Sequence, residues 1–216
     1  MPGLPGDRTI TSEAGVTGLS FTADGALLAA PCEDGQVRLW DARTGELKRA
    51  IPFDKETKTI TLSDRADLLA GVGRDGSIKF WDLKTGQISR HFAGPTAAMR
   101  TLAFAPDRKL VAGAARSRAT GSEYTVRIWN DLGTQQATLP AGLGGISTIA
   151  FSPDGRTIVA TGLDTDLRAW NTQNGELLRV MDDLPLATFA MGFSPDGKYL
   201  ATAGADRILY LWDTGT

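Results

Sequence analysis

Residues 193–213 read FSPDGKYLATAGADRILYLWD, and residues 151–171 read FSPDGRTIVATGLDTDLRAWN. Both stretches begin with phenylalanine, continue through a Ser-Pro-Asp-Gly turn, and end on tryptophan followed by an acid or its amide. Proline suits the first central position of a type I turn, and glycine supplies the positive φ that follows. The two stretches therefore indicate one structural unit that the chain uses at least twice.

The tryptophans extend this unit along the whole chain. All five lie in one frame, at spacings of 41, 48, 41 and 42 residues, and each is followed by Asp or Asn. An acid stands six positions before each of them, and we assign it a structural role, capping backbone N–H groups of a turn. A period near 41 residues predicts a repeated supersecondary unit. The tryptophans are Trp40, Trp81, Trp129, Trp170 and Trp212, and the acids are Asp34, Asp75, Glu123, Asp164 and Asp206.

Each unit contains four short segments with the composition of β-strands. The third is rich in β-branched and aromatic residues, as in QVRLW at 36–40 and TVRIW at 125–129. Units of this size cannot bury both faces of a sheet alone, whereas units stacked radially can. We therefore predict an all-β protein with units at 16–51, 57–92, 99–139, 146–181 and 188–213.

These features resemble the WD-repeat β-propeller family over nearly the whole chain. The resemblance rests on the Trp-Asp and Trp-Asn pairs, the acid at Trp minus six and the Ser-Pro-Asp-Gly turns. It implies a β-propeller with five four-stranded blades, forming a single domain over residues 1–216. The family often closes a buried His, Asp, Ser/Thr and Trp network in each blade. Here the Gly-His dipeptide is missing, and the hydroxyl ten residues before tryptophan remains only as Thr202.

The ends of the chain raise the question of ring closure. The last unit stops where its fourth strand should begin, and a short spare segment lies at residues 4–11. We predict that this segment pairs with residues 208–212 and closes a five-bladed ring. The alternative is a five-unit arc of a larger propeller, whose end blades would expose apolar faces and self-associate.

Composition excludes several classes of function. The formal net charge is −2, so we expect no binding to nucleic acid or to an anionic membrane. There is no apolar run of transmembrane length and no secretory signal, which leads us to expect a cytoplasmic protein. One cysteine and one histidine exclude an internal disulfide and a His-rich metal site, and no cofactor motif is present.

The candidates for catalysis all have simpler structural interpretations. Cys32 has no histidine in its unit, so we expect a buried apolar filler rather than a nucleophile. His91 lies in a polar outer strand, where we expect it to be exposed. A Ser-His-Asp constellation cannot be assembled around this one histidine. The residues therefore predict no catalytic site, no metal site and no enzyme.

The third unit departs from the repeat. Six extra residues lie between its second and third strands, within AARSRATGSEYT at 114–125. In the WD-repeat β-propeller family, which the chain resembles, loops at this position project from the face that most often contacts partner proteins. Arg116 and Arg118 in this loop, with Arg74 from the corresponding turn of the second unit, could form a basic patch. We predict that this patch attracts an acidic or phosphorylated protein segment.

The function that these observations favour is a non-catalytic protein–protein interaction scaffold, which binds a protein or peptide through its face loops. One alternative is a regulatory or sensor module of a larger multidomain protein. A propeller hydrolase is the least favoured reading, because the residues supply no catalytic constellation.

Overall fold

The computed structural model of the chain describes residues 9–16, 19–22, 24–53, 59–63, 68–73, 75–94, 99–107, 109–116, 124–142, 145–182 and 187–215. Every regular element in these ranges is a β-strand, and the strands form five small antiparallel sheets. The predicted all-β propeller with five blades is confirmed, with each sheet forming one blade.

The first three blades each contain four strands in chain order. Blade 1 contains β1 (Ser20–Phe21), β2 (Leu27–Cys32), β3 (Gln36–Asp41) and β4 (Leu47–Pro52). Blade 2 contains β5 (Thr59–Leu62), β6 (Leu68–Val72), β7 (Ile78–Asp82) and β8 (Ile88–Phe92). Blade 3 contains β9 (Met99–Phe104), β10 (Leu110–Arg116), β11 (Tyr124–Asn130) and β12 (Gln135–Pro140).

The last two blades differ from each other in strand number. Blade 4 contains β13 (Ile146–Phe151), β14 (Thr157–Gly162), β15 (Leu167–Asn171) and β16 (Leu177–Met181). Blade 5 contains β17 (Thr188–Phe193), β18 (Tyr199–Gly204) and β19 (Leu209–Asp213). Blade 5 thus has three strands within the described residues, where the sequence predicted four in every blade.

The blades stack through one recurring contact. In the third strands of blades 1 to 4, the side chains three and one before tryptophan pack against the following blade, and the tryptophans of blades 2 to 5 pack against the preceding one. Val37 and Leu39 of blade 1, for example, pack with Leu69 and Trp81 of blade 2 in one buried cluster. We call the side of a blade that bears the first set its trailing face and the side that bears the tryptophan its leading face.

The same contact is repeated at the other internal junctions. Ile78 and Phe80 pack with Trp129, and the next cluster joins Val126 and Ile128 to Trp170. Leu167 and Ala169 of blade 4 pack with Trp212 of blade 5. The first strands of consecutive blades lie side by side, so they form the inner edge of the arrangement. Apolar stacking between blades is therefore the core of the protein.

The predicted pairing of residues 4–11 with residues 208–212 is wrong for the part that is described. Thr9–Thr11 form no strand, and residues 4–8 lie outside the described ranges. The physical reason is that the N-terminal segment is held by blade 1. The amide of Glu33 donates to the carbonyl of Gly15 at 2.9 Å, and Val16 forms a bridge with Cys32.

Candidate functional site

The repeated tryptophans lie where the sequence predicted structural residues. Trp40, Trp81, Trp129 and Trp170 are buried. Trp212 is half-buried, and its indole Nε1 donates to Thr202 Oγ1 at 3.0 Å. Thr202, the hydroxyl that the sequence retains at Trp minus ten, is therefore part of a Trp-hydroxyl contact in blade 5.

The repeated acids stabilise the turn between the second and third strands. Asp34, Asp75 and Asp206 each accept a backbone N–H two residues later, at 3.2, 2.9 and 3.1 Å. Asp75 also accepts the hydroxyl of Ser77 at 2.6 Å, and this bond holds its pKa below the ordinary value. Glu123 lies outside the described residues. Turn capping accounts for three of the predicted acids.

Sequence reasoning missed a second contact of these acids. Four residues after the acid, at Trp minus two, stands a side chain that reaches back to it. Arg38 bonds Asp34 at 2.6 Å, and this guanidinium holds the pKa of Asp34 below its ordinary value. Arg168 bonds Asp164 at 2.8 Å. The signal was present as an acid and an arginine four positions apart in one frame.

Blade 5 keeps this geometry with a neutral partner. Tyr210 takes the place of arginine, and its hydroxyl donates to Asp206 at 2.8 Å. The carboxylate raises the pKa of the Tyr210 hydroxyl, because ionisation of the phenol would remove the hydrogen bond and place two negative charges together. The acids and their partners thus form structural pairs.

The remaining candidates from the sequence divide into two groups. Cys32 is buried and His91 is exposed, as predicted for both. Arg74 and Arg118 lie outside the described residues, and for Arg116 only the backbone in β10 is described, so the basic patch stays a prediction. Within the described ranges, no group of three or more His, Cys, Asp or Glu could hold a metal ion. No helix in those ranges is long and apolar enough to span a membrane.

A groove beside blade 5 is the site that sequence reasoning did not identify. It has a volume of about 530 Å³ and runs between the outer strand of blade 4 and the last strand of blade 5. Leu178 and Met181 on β16 form one wall, and Leu200 and Trp212 form the other. In blades 1 to 4 the corresponding place beside the third strand is taken by a fourth strand.

The groove adjoins an open sheet edge, since Trp212 and Asp213 at the end of β19 line it. Within the described part of the chain, β19 pairs with β18 on one side and with no strand on the other. A strand edge of this kind presents unpaired N–H and C=O groups that can pair with another extended segment. The groove therefore combines an apolar wall with a hydrogen-bonding edge.

One end of the groove is acidic. Asp154, Asp196 and Asp213 line it, together with the glycine turn at Gly197. The hydroxyls of Ser152 and Ser194 bond Asp154 and Asp196 at 2.6 Å, and these bonds lower the pKa of both carboxyls. Both groups are therefore charged at neutral pH. The groove thus has apolar walls, an acidic end and one lining arginine, Arg179.

Comparison with protein families matches the repeats to known models. The family described as "WD domain, G-beta repeat" matches residues 86–130, 133–171 and 186–213, which together make up just over half of the chain. The family described as "Anaphase-promoting complex subunit 4 WD40 domain" matches residues 8–65. Its match begins in the N-terminal segment and continues through blade 1.

Two curated relatives are similar over most of the chain. The "Telomerase protein component 1" of Rattus norvegicus is 30% identical over 157 residues, which are 72% of this chain and 6% of that protein. The "Periodic tryptophan protein 2" of Arabidopsis thaliana is 29% identical over 172 residues, 77% of this chain and 18% of that protein. The chain spans less than a fifth of the length of either relative.

Proposed function

Because the chain belongs to the WD-repeat β-propeller family, we propose that it is a non-catalytic protein-interaction module that binds an extended protein segment in the groove of blade 5. The observation that carries the proposal is the three-stranded blade beside an apolar groove. Adding a strand to an exposed sheet edge gives affinity through main-chain hydrogen bonds, and pockets for alternate side chains give specificity. The proposed location is the cytoplasm.

The residues of the groove suit binding better than chemistry. Its walls are apolar side chains, two of its carboxylates accept hydrogen bonds from neighbouring hydroxyls, and Arg179 is the one cation among the described residues that line it. The names of the relatives describe a component of telomerase and a periodic tryptophan protein, and a role within a larger assembly is in keeping with the first. The predicted basic patch of the third unit is a second proposed contact, on the loop side of the blades.

A peptide that copies the outer strand of blade 1 tests the proposal. Residues 46–53, ELKRAIPF, contain all of β4 with one residue on each side, and they carry both apolar and basic side chains. We expect this peptide to bind the protein, as measured by isothermal titration calorimetry. Successive N–H groups of a strand point to opposite sides, so prolines at both Arg49 and Ala50 must remove one N–H that faces β19. That double-proline peptide is expected not to bind.

Two protein variants locate the binding site. Leu178 lines the groove and is 52% exposed, so Leu178→Glu should leave the fold intact and weaken peptide binding about tenfold by placing a charge on the apolar wall. Leu163 belongs to the same blade, is 60% exposed and lies outside the groove lining, so Leu163→Glu is the matched control. Equal binding by both variants and the wild type would place the site elsewhere.

A further inference from the structure

The trailing face of blade 5 exposes side chains whose counterparts in the other blades are buried or half-buried. Leu209 and Leu211 stand three and one residues before Trp212, and they are 69% and 63% exposed. The residues at Trp minus three in blades 1 to 4 are buried against the following blade. They are Val37, Ile78, Val126 and Leu167. We call Leu209 and Leu211 the trailing end face.

The leading face of blade 1, at the other end of the row of blades, also exposes apolar side chains. Leu19 and Phe21 are 70% and 61% exposed. Phe21 lies opposite Leu28, which lies opposite Trp40, so these side chains share the leading face. The corresponding residues of blade 4, Ile149 and Phe151, are buried against blade 3. We call Leu19 and Phe21 the leading end face.

The N-terminal segment already occupies the place of an outer strand on this leading side. At Gly86 of blade 2, the nearest atom of the preceding outer strand is Ile51 Cγ1, 3.9 Å from where a Cβ would stand. At Gly175 of blade 4 the equivalent atom is Leu139 Cδ2, at 3.3 Å. At Gly45 of blade 1 it is Ile10 Cγ1, at 3.5 Å. Ile10 therefore sits where the fourth strand of a preceding blade would place its apolar side chain.

We infer that a second copy of this chain docks head to tail on the fifth blade. The leading end face of one copy packs on the trailing end face of the other, and the segment around Ile10 enters the groove beside β19 as the fourth strand of blade 5. The inference rests on the proposed function, since the same groove takes the segment. It identifies the occupant as this chain's own N-terminal side.

The internal junctions are the reason to choose a second copy. Each of the four joins a trailing face to a leading face with the same apolar positions. The trailing end face bears the positions at Trp minus three and minus one, and the leading end face bears the first-strand positions that are buried in blade 4. Within the described residues blade 5 has no fourth strand, and blade 1 carries a segment placed as one. Such a contact is heterologous, because different surfaces of the two copies meet.

Light scattering coupled to gel filtration tests the inference. We expect the wild-type mass to rise with concentration from 22.9 kDa to at least twice that value. Leu211→Arg places a charge on the trailing end face, and Leu19→Glu places one on the leading end face. Each variant alone should therefore keep a mass of 22.9 kDa. Each variant keeps one intact end, so an equimolar mixture should form pairs and stop there.

Further variants separate the parts of the contact. Leu132 is 81% exposed and lies outside both end faces, so Leu132→Glu should assemble like the wild type. Ile10→Glu should weaken assembly, because a charge in the fourth-strand position would face the apolar junction. A wild-type mass fixed at 22.9 kDa at all concentrations, as for a ring closed within one chain, would overturn the inference. So would a mixture of end variants that stays monomeric.

Peptide binding and assembly, measured together, distinguish failure of this inference from failure of the proposed function. Leu19→Glu leaves blade 5 unchanged, so its binding of the ELKRAIPF peptide reports on the groove alone. Peptide binding without assembly would overturn the second copy as occupant and leave the groove as a binding site. Assembly without peptide binding would overturn the groove as a site for extended segments.

Discussion

Both terminal nitrogens of Arg38 bond the carboxylate of Asp34, Nη1 to Oδ1 at 3.1 Å and Nη2 to Oδ2 at 2.6 Å. Arg38 is buried, and a two-point contact with a carboxylate is among the stronger charge-assisted arrangements. The pair fixes the turn between β2 and β3, because Asp34 also accepts the amide of Gln36. The turn and the third strand of the blade are thus tied together.

This pair predicts how stability depends on pH. The pKa of Asp34 is lower in the folded protein than in a free aspartate, whose value is 3.8. Its contribution to stability is therefore fully present above pH 3.8 and is lost as the pH falls through the lower folded-state pKa. The pKa values of six further carboxyls are shifted in the same direction: Asp24, Asp41, Asp75, Asp82, Asp154 and Asp196.

We accordingly expect the free energy of unfolding to fall steeply as the pH drops below about 4. Urea unfolding between pH 7 and pH 2.5 measures this directly. Asp34→Asn should be less stable than the wild type at pH 7 and should show a shallower acid slope, since one linked proton is removed. The same acid slope in both proteins would mean that the Asp34 carboxyl is not linked to folding.

The tryptophans should dominate blade stability. Trp81 is 2% exposed and packs with Val37 and Leu39 of blade 1. Trp81→Ala should cost about 3–5 kcal/mol, the usual loss for deleting a large buried aromatic. Asp75→Asn should cost much less, because the amide oxygen can still accept the hydrogen bonds from Ser77. Denaturant midpoints measure both changes, and equal losses of stability in the two variants would contradict the prediction.

Trp212→Ala should lower the free energy of unfolding less than Trp81→Ala does, since Trp212 is half-buried.

Replacing Thr165 by glycine should stabilise the protein. Its φ is 63°, in the left-handed region, which costs a non-glycine residue roughly 1–2 kcal/mol. Gly35 and Gly76 occupy the same turn position in blades 1 and 2, each with φ 80°. Thr165→Gly should raise the free energy of unfolding by about 0.5–1 kcal/mol, after the entropic cost of glycine. The converse control, Gly35→Ala, should destabilise the protein. A destabilised Thr165→Gly would show that the Thr165 side chain, which bonds the Asp164 carbonyl, matters more than the strain.

The architecture could be predicted because the repeat imposes it. One tryptophan per unit at a fixed register requires one buried contact per blade, and the strand bounds follow from turns such as the one at Ser152–Gly155. In that turn the amide of Gly155 donates to the carbonyl of Ser152 at 2.8 Å. Local sequence determines both features, since each depends on residues of a single unit or its neighbour.

The groove could not be predicted, because it depends on where two distant segments lie. The sequence predicts β19 as the third strand of blade 5 and a spare segment near Ile10. Whether they pair is decided by contacts of the N-terminal segment with blade 1, such as Gly15 with Glu33.

The Asp34–Arg38 pair, by contrast, lies within one unit of the repeat. Its spacing of four residues is visible in the sequence, but an arginine at that strand position can equally pack its aliphatic stem against a neighbouring blade, so the spacing alone does not decide between the two.

Hydrogen–deuterium exchange of the β19 amides, Leu209–Asp213, tests the central claim most directly. The experiment uses Leu19→Glu, whose blade 5 is intact, with and without the ELKRAIPF peptide. An added fourth strand must pair with the N–H groups that β18 leaves free, so alternate amides of β19 should exchange more slowly in the complex. The double-proline peptide should leave them unchanged. Unaltered exchange along β19, with protection confined to another surface of the saturated complex, would contradict the account.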